Sequence, residues 1–430
     1  MEPVEFVGAV LTWSFPALAL ATLVLLPLYA WRERGRSYAM FGAIVLGIAL
    51  PGALIAHPRI VSLFPPGAAP WLDGLFAYAM LAAAVHLVHL VRARMRAWPF
   101  RFGVSIPGQV FIAAGAMEGV WLLALLPIRG LLYFLGWEGV LSALRWLDLL
   151  PFAVAMLSIL TSTRPTVEWV RVRLGQDGPD EVKRIPVERH RRRAPPPLAS
   201  PPLRIVQISD PHLGPWQSIS GLRRTVARLL DREPDLVLLT GDFLTMESSG
   251  TPGAIAQAFS PLRALEGRCF AIFGNHDHEA PMEVSRGLAA NGVRLLVDEE
   301  ALVETSIGPV QIVGSDWVRR GSREHLSGLL ARFPRRPDHL RLLLLHDPLG
   351  FRHVAPGEVD LTLSGHTHGG QVGLVSLGLD WTVLTRSPWP DHGLFGLGSN
   401  RLYVHRGTGF YGFPLRVGVP GEASVLEVVV

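Results

Sequence analysis

Two regimes of hydrophobic patterning divide the chain. Residues 8–30, 38–56, 72–91, 106–126 and 146–163 are apolar runs near the roughly 20 residues that a bilayer core requires, so five membrane-spanning helices are expected. From residue 203 the apolar runs shorten to strand length. Residues 203–209, 236–240, 269–273, 342–345 and 359–363 are β-branched or aliphatic stretches separated by segments of helical spacing, such as Leu222, Val226, Leu229 and Leu230. Residues 254–265, 282–290 and 324–333 are further expected helices, and 293–297, 301–305 and 310–313 further strands. The order β-α-β predicts an α/β domain over residues 203–430, and roughly 230 residues suffice for a two-sheet core covered by helices.

Composition supports a chain with a membrane part and a globular part. Of its 430 residues 49% are hydrophobic and the mean hydropathy is +0.31, too apolar for a soluble protein of this size. The single cysteine, Cys269, allows no intrachain disulfide and reads as a small core residue. Successive apolar segments with no short basic leader argue against a cleavable signal peptide. The fifth run is the weakest, because it holds Asp148 and Pro151; residues 130–144 before it could lie along the interface.

Arginines alternate along this region. Arg32, Arg34 and Arg36 follow the first run, Arg92, Arg94, Arg96 and Arg101 the third, and Arg164, Arg171 and Arg173 the fifth; the intervening loops hold only Arg59, Arg129 and Arg145. By the positive-inside rule, five spans put the C-terminal domain in the cytoplasm at a plasma or inner membrane, whereas four would put it outside. Glu118 falls mid-span, as a functional group or as a protonated or helix-paired one. His86 and His89 near a span end are explained by interfacial snorkelling.

Residues 164–202 read as a linker. Lys183, Arg184, Arg189, Arg191, Arg192 and Arg193 precede a proline-rich stretch that is expected to be extended and semi-rigid. Such a run can stop transfer through the membrane or meet anionic membrane lipids. The formal net charge of only +4 gives no indication of nucleic-acid binding.

The chemistry lies at the strand ends. In order these are Asp210-Pro211-His212, Gly241-Asp242, Gly274-Asn275-His276-Asp277, His346-Asp347 and Gly365-His366-Thr367-His368. Open α/β sheets place ligand sites at such ends, and five converging ends would bring carboxylates, an amide and imidazoles together, enough for two divalent metal ions. A mixed N/O shell suits manganese, iron or zinc better than magnesium or calcium. Two metals about 3.5–4 Å apart neutralise a phosphate ester and activate water. The alternative for any one motif is a chance pairing or an ordinary core histidine.

These residues resemble the calcineurin-like metallophosphoesterases, whose motif order is D-x-H, GD, GNHD/E, H and GHxH, and the match covers about residues 203–430. The resemblance implies a four-layer α/β/β/α sandwich. It implies one metal held by Asp210, His212, Asp242 and His368, a second held by Asp242, Asn275, His346 and His366, and His276 as a catalytic group that protonates the leaving group. Protein Ser/Thr phosphatases of that superfamily carry GDxxDRG and GNHE, which this chain lacks, so phosphoprotein substrates are disfavoured. The sequence after His368, with Leu402–Gly407 and Gly412–Arg416, looks like the membrane-associated branch described as transmembrane proteins with a metallophosphoesterase domain. Some relatives there hydrolyse UDP-2,3-diacylglucosamine. Arg406 and Arg416 are therefore substrate-binding candidates, with surface salt bridges as the alternative.

The expected function is a membrane-bound metal-dependent phosphoric ester hydrolase acting on a lipid-linked or membrane-proximal phosphate ester or pyrophosphate. A phosphodiesterase for a soluble nucleotide-type substrate, and a non-catalytic membrane receptor or scaffold, are the competing readings. A transporter is the third, supported by Glu118 alone.

Overall fold

The structure, a computed structural model, describes residues 3–191 and 193–430. Among the described residues, five helices on the N-terminal side are long and apolar enough to cross a membrane: Thr12–Arg34, Arg36–Val61, Pro66–Leu90, Trp98–Phe134 and Glu138–Thr163. Their cores join through Phe15, Leu46, Leu50, Met80, Leu87 and Phe111. Other apolar positions on these helices, such as Leu20, Ile44, Leu81, Leu123 and Leu157, face outward, as a lipid-facing surface requires.

Polar groups inside this unit are mostly paired. Asp148, the residue that weakens the fifth run, is fully buried and receives Arg59 Nε at 2.7 Å and the Arg129 guanidinium. The loop expected at Arg129 is instead helical as far as Phe134, because Asp148 gives the guanidinium a partner within the helical layer. Residues 130–144 accordingly form a helix end, a turn at Gly136 and the start of the last helix. His86 does not snorkel. It is buried between Ser105 Oγ at 3.2 Å and Gln109 Nε2 at 3.0 Å, while His89 Nδ1 donates to the Val85 carbonyl at 2.8 Å. Glu118 is fully buried, and both its carboxylate oxygens lack a hydrogen-bond partner among the described residues.

The second unit contains two seven-stranded sheets. In chain order the strands are β1 (Thr166–Arg173), β2 (Lys183–Arg184), β3 (Glu188–Arg191), β4 (Leu203–Ile208), β5 (Leu236–Leu239), β6 (Cys269–Ala271), β7 (Arg294–Leu295), β8 (Glu299–Thr305), β9 (Gly308–Gly314), β10 (Leu340–Leu344), β11 (Leu361–Ser364), β12 (Gly393–Leu397), β13 (Asn400–Val404) and β14 (Glu422–Val429). One sheet runs β3-β1-β14-β4-β5-β6-β7 and the other β2-β12-β13-β11-β10-β9-β8. Strands β4, β5 and β6 are mutually parallel, as are β9, β10, β11 and β13, so their C-terminal ends share an edge in each sheet.

Strand periodicity sorts the core. Leu342 and Leu344 point between the sheets, against Ile205, Leu236, Leu238 and Phe270, whereas Leu343 and Leu345 point outward to Leu326, Leu329 and Leu330 of helix Ser322–Arg332. Helix Ile219–Leu230 buries Leu222, Val226 and Leu229 and contacts β14. These layers form the expected mixed α/β domain with two sheets.

The expected linker is corrected. Residues 166–173, 183–184 and 188–191 are strands, and β1 lies between β3 and β14. Val170 and Val172 enter the core between the sheets, and Arg171 on the other face meets Glu427 at 2.8 Å. The charge density of the segment obscures this alternation: Glu168 offsets Arg189 and Arg191 only once β1 and β3 pair, and Arg171 meets both Glu188 and the distant Glu427. Arg192, part of the same basic run, lies outside the described residues.

A candidate dinuclear metal centre at the strand ends

Each strand ends where its chemistry begins. Asp210 follows β4, Asp242 follows β5, Asn275 and His276 follow β6, His346 follows β10 and His366 follows β11. The ends are cross-linked by short hydrogen bonds. Asp210 N donates to the Gly241 carbonyl at 2.9 Å, and His366 N donates to Asp210 Oδ1 at 3.0 Å, joining the two sheets directly over the site. Gln207 Nε2 adds a second link, donating to the Ser364 carbonyl at 3.0 Å.

The backbone bends sharply to aim these groups. Asp210, His212, Asp242, His366 and His368 all have positive φ, between 41° and 69°, a conformation that costs roughly 1–2 kcal/mol per residue outside glycine. Such strain gathered at one place marks a functional site. Gly365 and Gly274 make room for the two carboxylates. A Cβ on Gly365 would overlap Asp210 Oδ2, and one on Gly274 would overlap Asp242 Oδ1.

Two clusters result. Asp210, His212 and His368 form one and Asp242, His346 and His366 the other, with one ligand-type atom from each member within 4.8 Å of the rest. Asp242 stands between them: its Oδ2 is 3.5 Å from His212 Nε2 and 3.3 Å from His346 Nε2. Asn275 Oδ1 completes the second cluster, 3.2 Å from His346 Nε2 and 3.0 Å from His366 Nδ1.

Second contacts fix which nitrogen faces the cluster. His346 Nδ1 meets the Thr240 carbonyl at 2.7 Å and His212 Nδ1 the Leu244 carbonyl at 3.0 Å, so each Nδ1 carries its hydrogen and each Nε2 faces the cluster, where its lone pair would be available to a bound cation. His212 Nε2 is buried with no hydrogen-bond partner among the described residues. An orphaned acceptor aimed at buried carboxylates is what a cation-binding shell requires, and bonds of about 2.0–2.2 Å to N and O ligands are compatible with this spread.

The electrostatics agree. Burial raises Asp210 to about 6 against the attraction of His346. Burial pushes Asp242 up as well, but the neighbouring His346 and His212 more than offset this and hold it well below the usual carboxylate range. Burial lowers His212 to about 4 and His368 well below its ordinary value. Burial would lower His346 too, but Asp242 and Asp210 raise it to about 10. The buried carboxylates thus draw positive charge into the cluster, and the residues fit two divalent ions.

His276 sits at the rim. Its backbone N–H donates to Asp242 Oδ1 at 2.8 Å, its ring lies 5.5 Å from that of His212, and its Nδ1 is 3.3 Å from Glu279 Oε1. Burial lowers its pKa, but Glu279 and Asp242 more than offset this, for a net rise. Its side chain is 27% exposed, leaving it open to a bound molecule.

Three residues beyond those expected shape the site. Asp277, fully buried, accepts the backbone N–H groups of Asp242, Phe243 and Gly274 at 2.7, 2.8 and 2.9 Å. Its place after His276 in the third motif is its sequence signal. Ser209 donates to Asp210 Oδ2 at 2.5 Å. Tyr411 lies 5.4 Å from the His212 ring and 4.7 Å from that of His276, and no local pattern announces it.

The two arginines are a correction. Arg406 and Arg416 are not exposed to a substrate, nor are they surface salt bridges; both are buried to 1% exposure or less. Arg406 Nη2 lies 2.7 Å from Glu168 Oε1 and its Nε 3.4 Å from Glu422 Oε2. Arg416 donates to the carbonyls of His368 and Gly407 at 3.1 Å and of Gly409 at 2.5 Å. Arg416 thus braces the His368 loop from behind. The anions that bury Arg406 come from β1 and β14, which its own neighbourhood in sequence does not reveal.

A sheet edge carrying an Asp shared by two His-rich clusters defines a metal-dependent hydrolase centre of the two-ion type. Residues 203–370 match the family described as Calcineurin-like phosphoesterase. The chain is 31% identical over 238 residues to the uncharacterized metallophosphoesterase YkoQ of Bacillus subtilis, covering 53% of this chain and 83% of that protein. It is 28% identical over 233 residues to phosphodiesterase YaeI of Escherichia coli, with 53% and 83% covered. It is also 29% identical over 268 residues to the bovine transmembrane protein with metallophosphoesterase domain, with 58% and 57% covered. The chain therefore belongs to the calcineurin-like metallophosphoesterase family and is a metal-dependent phosphoesterase with apolar helices at its N-terminal side.

Proposed function

We propose that this enzyme hydrolyses a phosphodiester or pyrophosphate that is lipid-linked or held close to the membrane surface, a UDP-2,3-diacylglucosamine-like molecule being one version. The observation that carries the hydrolytic part is Asp242 Oδ2, within 3.5 Å of His212 Nε2 and 3.3 Å of His346 Nε2, a single carboxylate shared by both clusters. Support for the membrane part comes from the five apolar helices and from relatives named as transmembrane proteins with this domain. Tethering raises the effective concentration of a substrate confined to the same surface.

Asp210, His212, Asp242 and His368 would hold one ion, and Asp242, Asn275, His346 and His366 the other. The ions would supply charge neutralisation and an acidified water. The chain's own residues do the remaining work. His276 in its protonated form donates to the leaving-group oxygen, and Glu279 keeps that imidazolium favourable. Asp277 holds the Asp242 and Gly274 turns in register. Arg164, Arg171 and Arg173 after the last apolar helix support a cytoplasmic position for the domain.

The test is a hydrolysis screen of the purified, manganese-loaded full chain in detergent or lipid, against lipid-linked pyrophosphates, lipid phosphodiesters and soluble cyclic or linear nucleotides. Preference in kcat/KM for the lipid-linked compounds is the expected result. A preference for soluble nucleotides would overturn the substrate class, and absence of hydrolysis in metal-loaded protein would overturn the catalytic reading.

A further inference from the structure

We propose that the segment of residues 372–383 is an interfacial loop that inserts into the bilayer crossed by the chain's own apolar helices, with a neighbouring arginine-lined cavity receiving lipid phosphate headgroups. The inference rests on the reading of those helices as membrane-spanning and is independent of which phosphate ester is cleaved.

The loop is a closed hairpin with an apolar tip. Val383 N donates to the Val372 carbonyl at 3.0 Å and Leu374 N to the Trp381 carbonyl at 2.9 Å, which fixes the base. Beyond it, Leu377 is 74% exposed, and Leu374, Leu379, Trp381 and Val383 are exposed as well. Five large apolar side chains on one short hairpin form a patch that a water-facing surface does not favour. Leucine tips with a tryptophan at the base are suited to the boundary between acyl chains and headgroups.

Covalent and hydrogen-bonded continuity ties the hairpin to the stretch of chain that directly follows the last apolar helix. The last apolar helix ends at Thr163 and β1 starts at Thr166, leaving only Arg164 and Pro165 between them; at about 3.5 Å per residue, Thr166 lies within roughly 11 Å of the helix end. Thr166 N donates to the Gly421 carbonyl at 2.8 Å. A few residues back along the chain, the Gly418 carbonyl accepts Ser376 N at 2.8 Å and the Val417 carbonyl accepts Gly373 N at 2.9 Å. The hairpin is therefore pinned to the same short segment, residues 417–421, that is hydrogen-bonded to the start of β1.

Charge complements the apolar tip. Beside it opens a cavity of about 540 Å³, lined by Arg184, Arg189, Arg191, Val375, Gly378 and Leu394 among others. Arg191 Nη2 donates to the Val375 carbonyl at 3.0 Å, so this cation is attached to the hairpin itself. Asp391 pairs with Arg184, but Glu168 is shared by Arg189 at 3.5 Å, Arg191 at 3.2 Å and Arg406 at 2.7 Å. Arg406 is buried and has Glu422 as well, so Glu168 is the carboxylate that the cavity-lining Arg189 and Arg191 share, which leaves guanidinium donors for phosphate oxygens. Asp380, on the hairpin, is the carboxylate that lines the same cavity and acts in the opposite sense.

The hairpin begins four residues after His368, so inserting it would bring the metal centre to the lipid surface. The experiment uses the full chain in proteoliposomes with an environment-sensitive fluorophore on an introduced cysteine; native Cys269 is buried, and burial pushes its thiol up to about 12. Leu377→Cys is compared with Leu302→Cys, which lies on β8 at the opposite edge of the second sheet from β2 and is also exposed. With bromines on the lipid acyl chains, fluorescence should be lost at position 377 and retained at 302, and the loss should deepen when phosphatidylglycerol replaces phosphatidylcholine. Equal signals at the two positions would overturn insertion. Quenching indifferent to phosphatidylglycerol would overturn the headgroup role of the arginines. Because quenching needs no turnover, an error in the assigned substrate leaves this result unaffected, and the hydrolysis screen is likewise decided without it.

Discussion

The backbone N–H of His276 donates to Oδ1 of Asp242 at 2.8 Å, while Oδ2 of the same carboxylate faces His212 and His346. One side chain therefore both joins the two metal-type clusters and positions the loop bearing the candidate acid.

Replacing Asp242 by Ala should empty both metal positions and lower hydrolysis of a generic phosphodiester at least about 100-fold. Asp242→Asn preserves an acceptor for the His276 N–H but loses the negative charge, and it should also fail to retain two ions. Elemental analysis of each purified variant checks this; two bound ions in Asp242→Ala would remove the bridging role.

His276→Ala should behave differently. Metal content stays near that of the parent, while kcat falls by roughly 10²–10⁴, the range for loss of a general acid. The fall should be steepest for substrates with poor leaving groups, and a uniform fall across a leaving-group series would contradict proton donation.

Asp277→Asn tests the turn beneath the site. The present carboxylate accepts three backbone N–H groups, and an amide would turn a donor toward one of them. A loss of about 3 kcal/mol in stability is expected, since hydrogen bonds to charged groups are worth roughly 1.5–3 kcal/mol each. Metal affinity should fall about 10–100-fold, as for other residues that orient ligands. Thermal unfolding and metal titration read the two effects separately.

Much of this site is legible in the chain because each metal-type residue directly follows an apolar strand, and parallel strands bring such ends together. Asp210, Asp242, Asn275, His346 and His366 need only that rule. Asp277 is recognisable as a motif position but not as an anchor, because its partners are backbone groups from another loop. Arg406 could not be read locally: its burial depends on Glu168 and Glu422, separated from it by 238 and 16 positions. The strand at 166–173 is hidden partly for the same reason, since one of the two partners of Arg171, Glu427, lies 256 residues away.

Arg406→Met should expose that dependence. It leaves Glu168 and Glu422 without their central partner, and removal of one member of a buried ion pair costs about 3–5 kcal/mol. The expected outcome is a lower melting temperature with KM unchanged in the folded fraction. A raised KM at unaltered stability would restore a substrate-contact role.

The side of the membrane is open to direct measurement. A reporter fused after residue 430 that functions only in the cytoplasm should be active, and one that functions only outside should be silent. The reverse pattern would mean that an even number of the apolar helices crosses.

β14 lies between β1 and β4, joining residues 166–173 to a partner at residues 422–429. A ribosome making this chain thus delivers all the apolar helices, and then some 250 further residues, before the strand that joins β1 to β4 exists. Maturation is consequently ordered: anchoring in the bilayer comes first and catalytic competence last, so a stop codon before residue 422 would yield an inserted but inert protein.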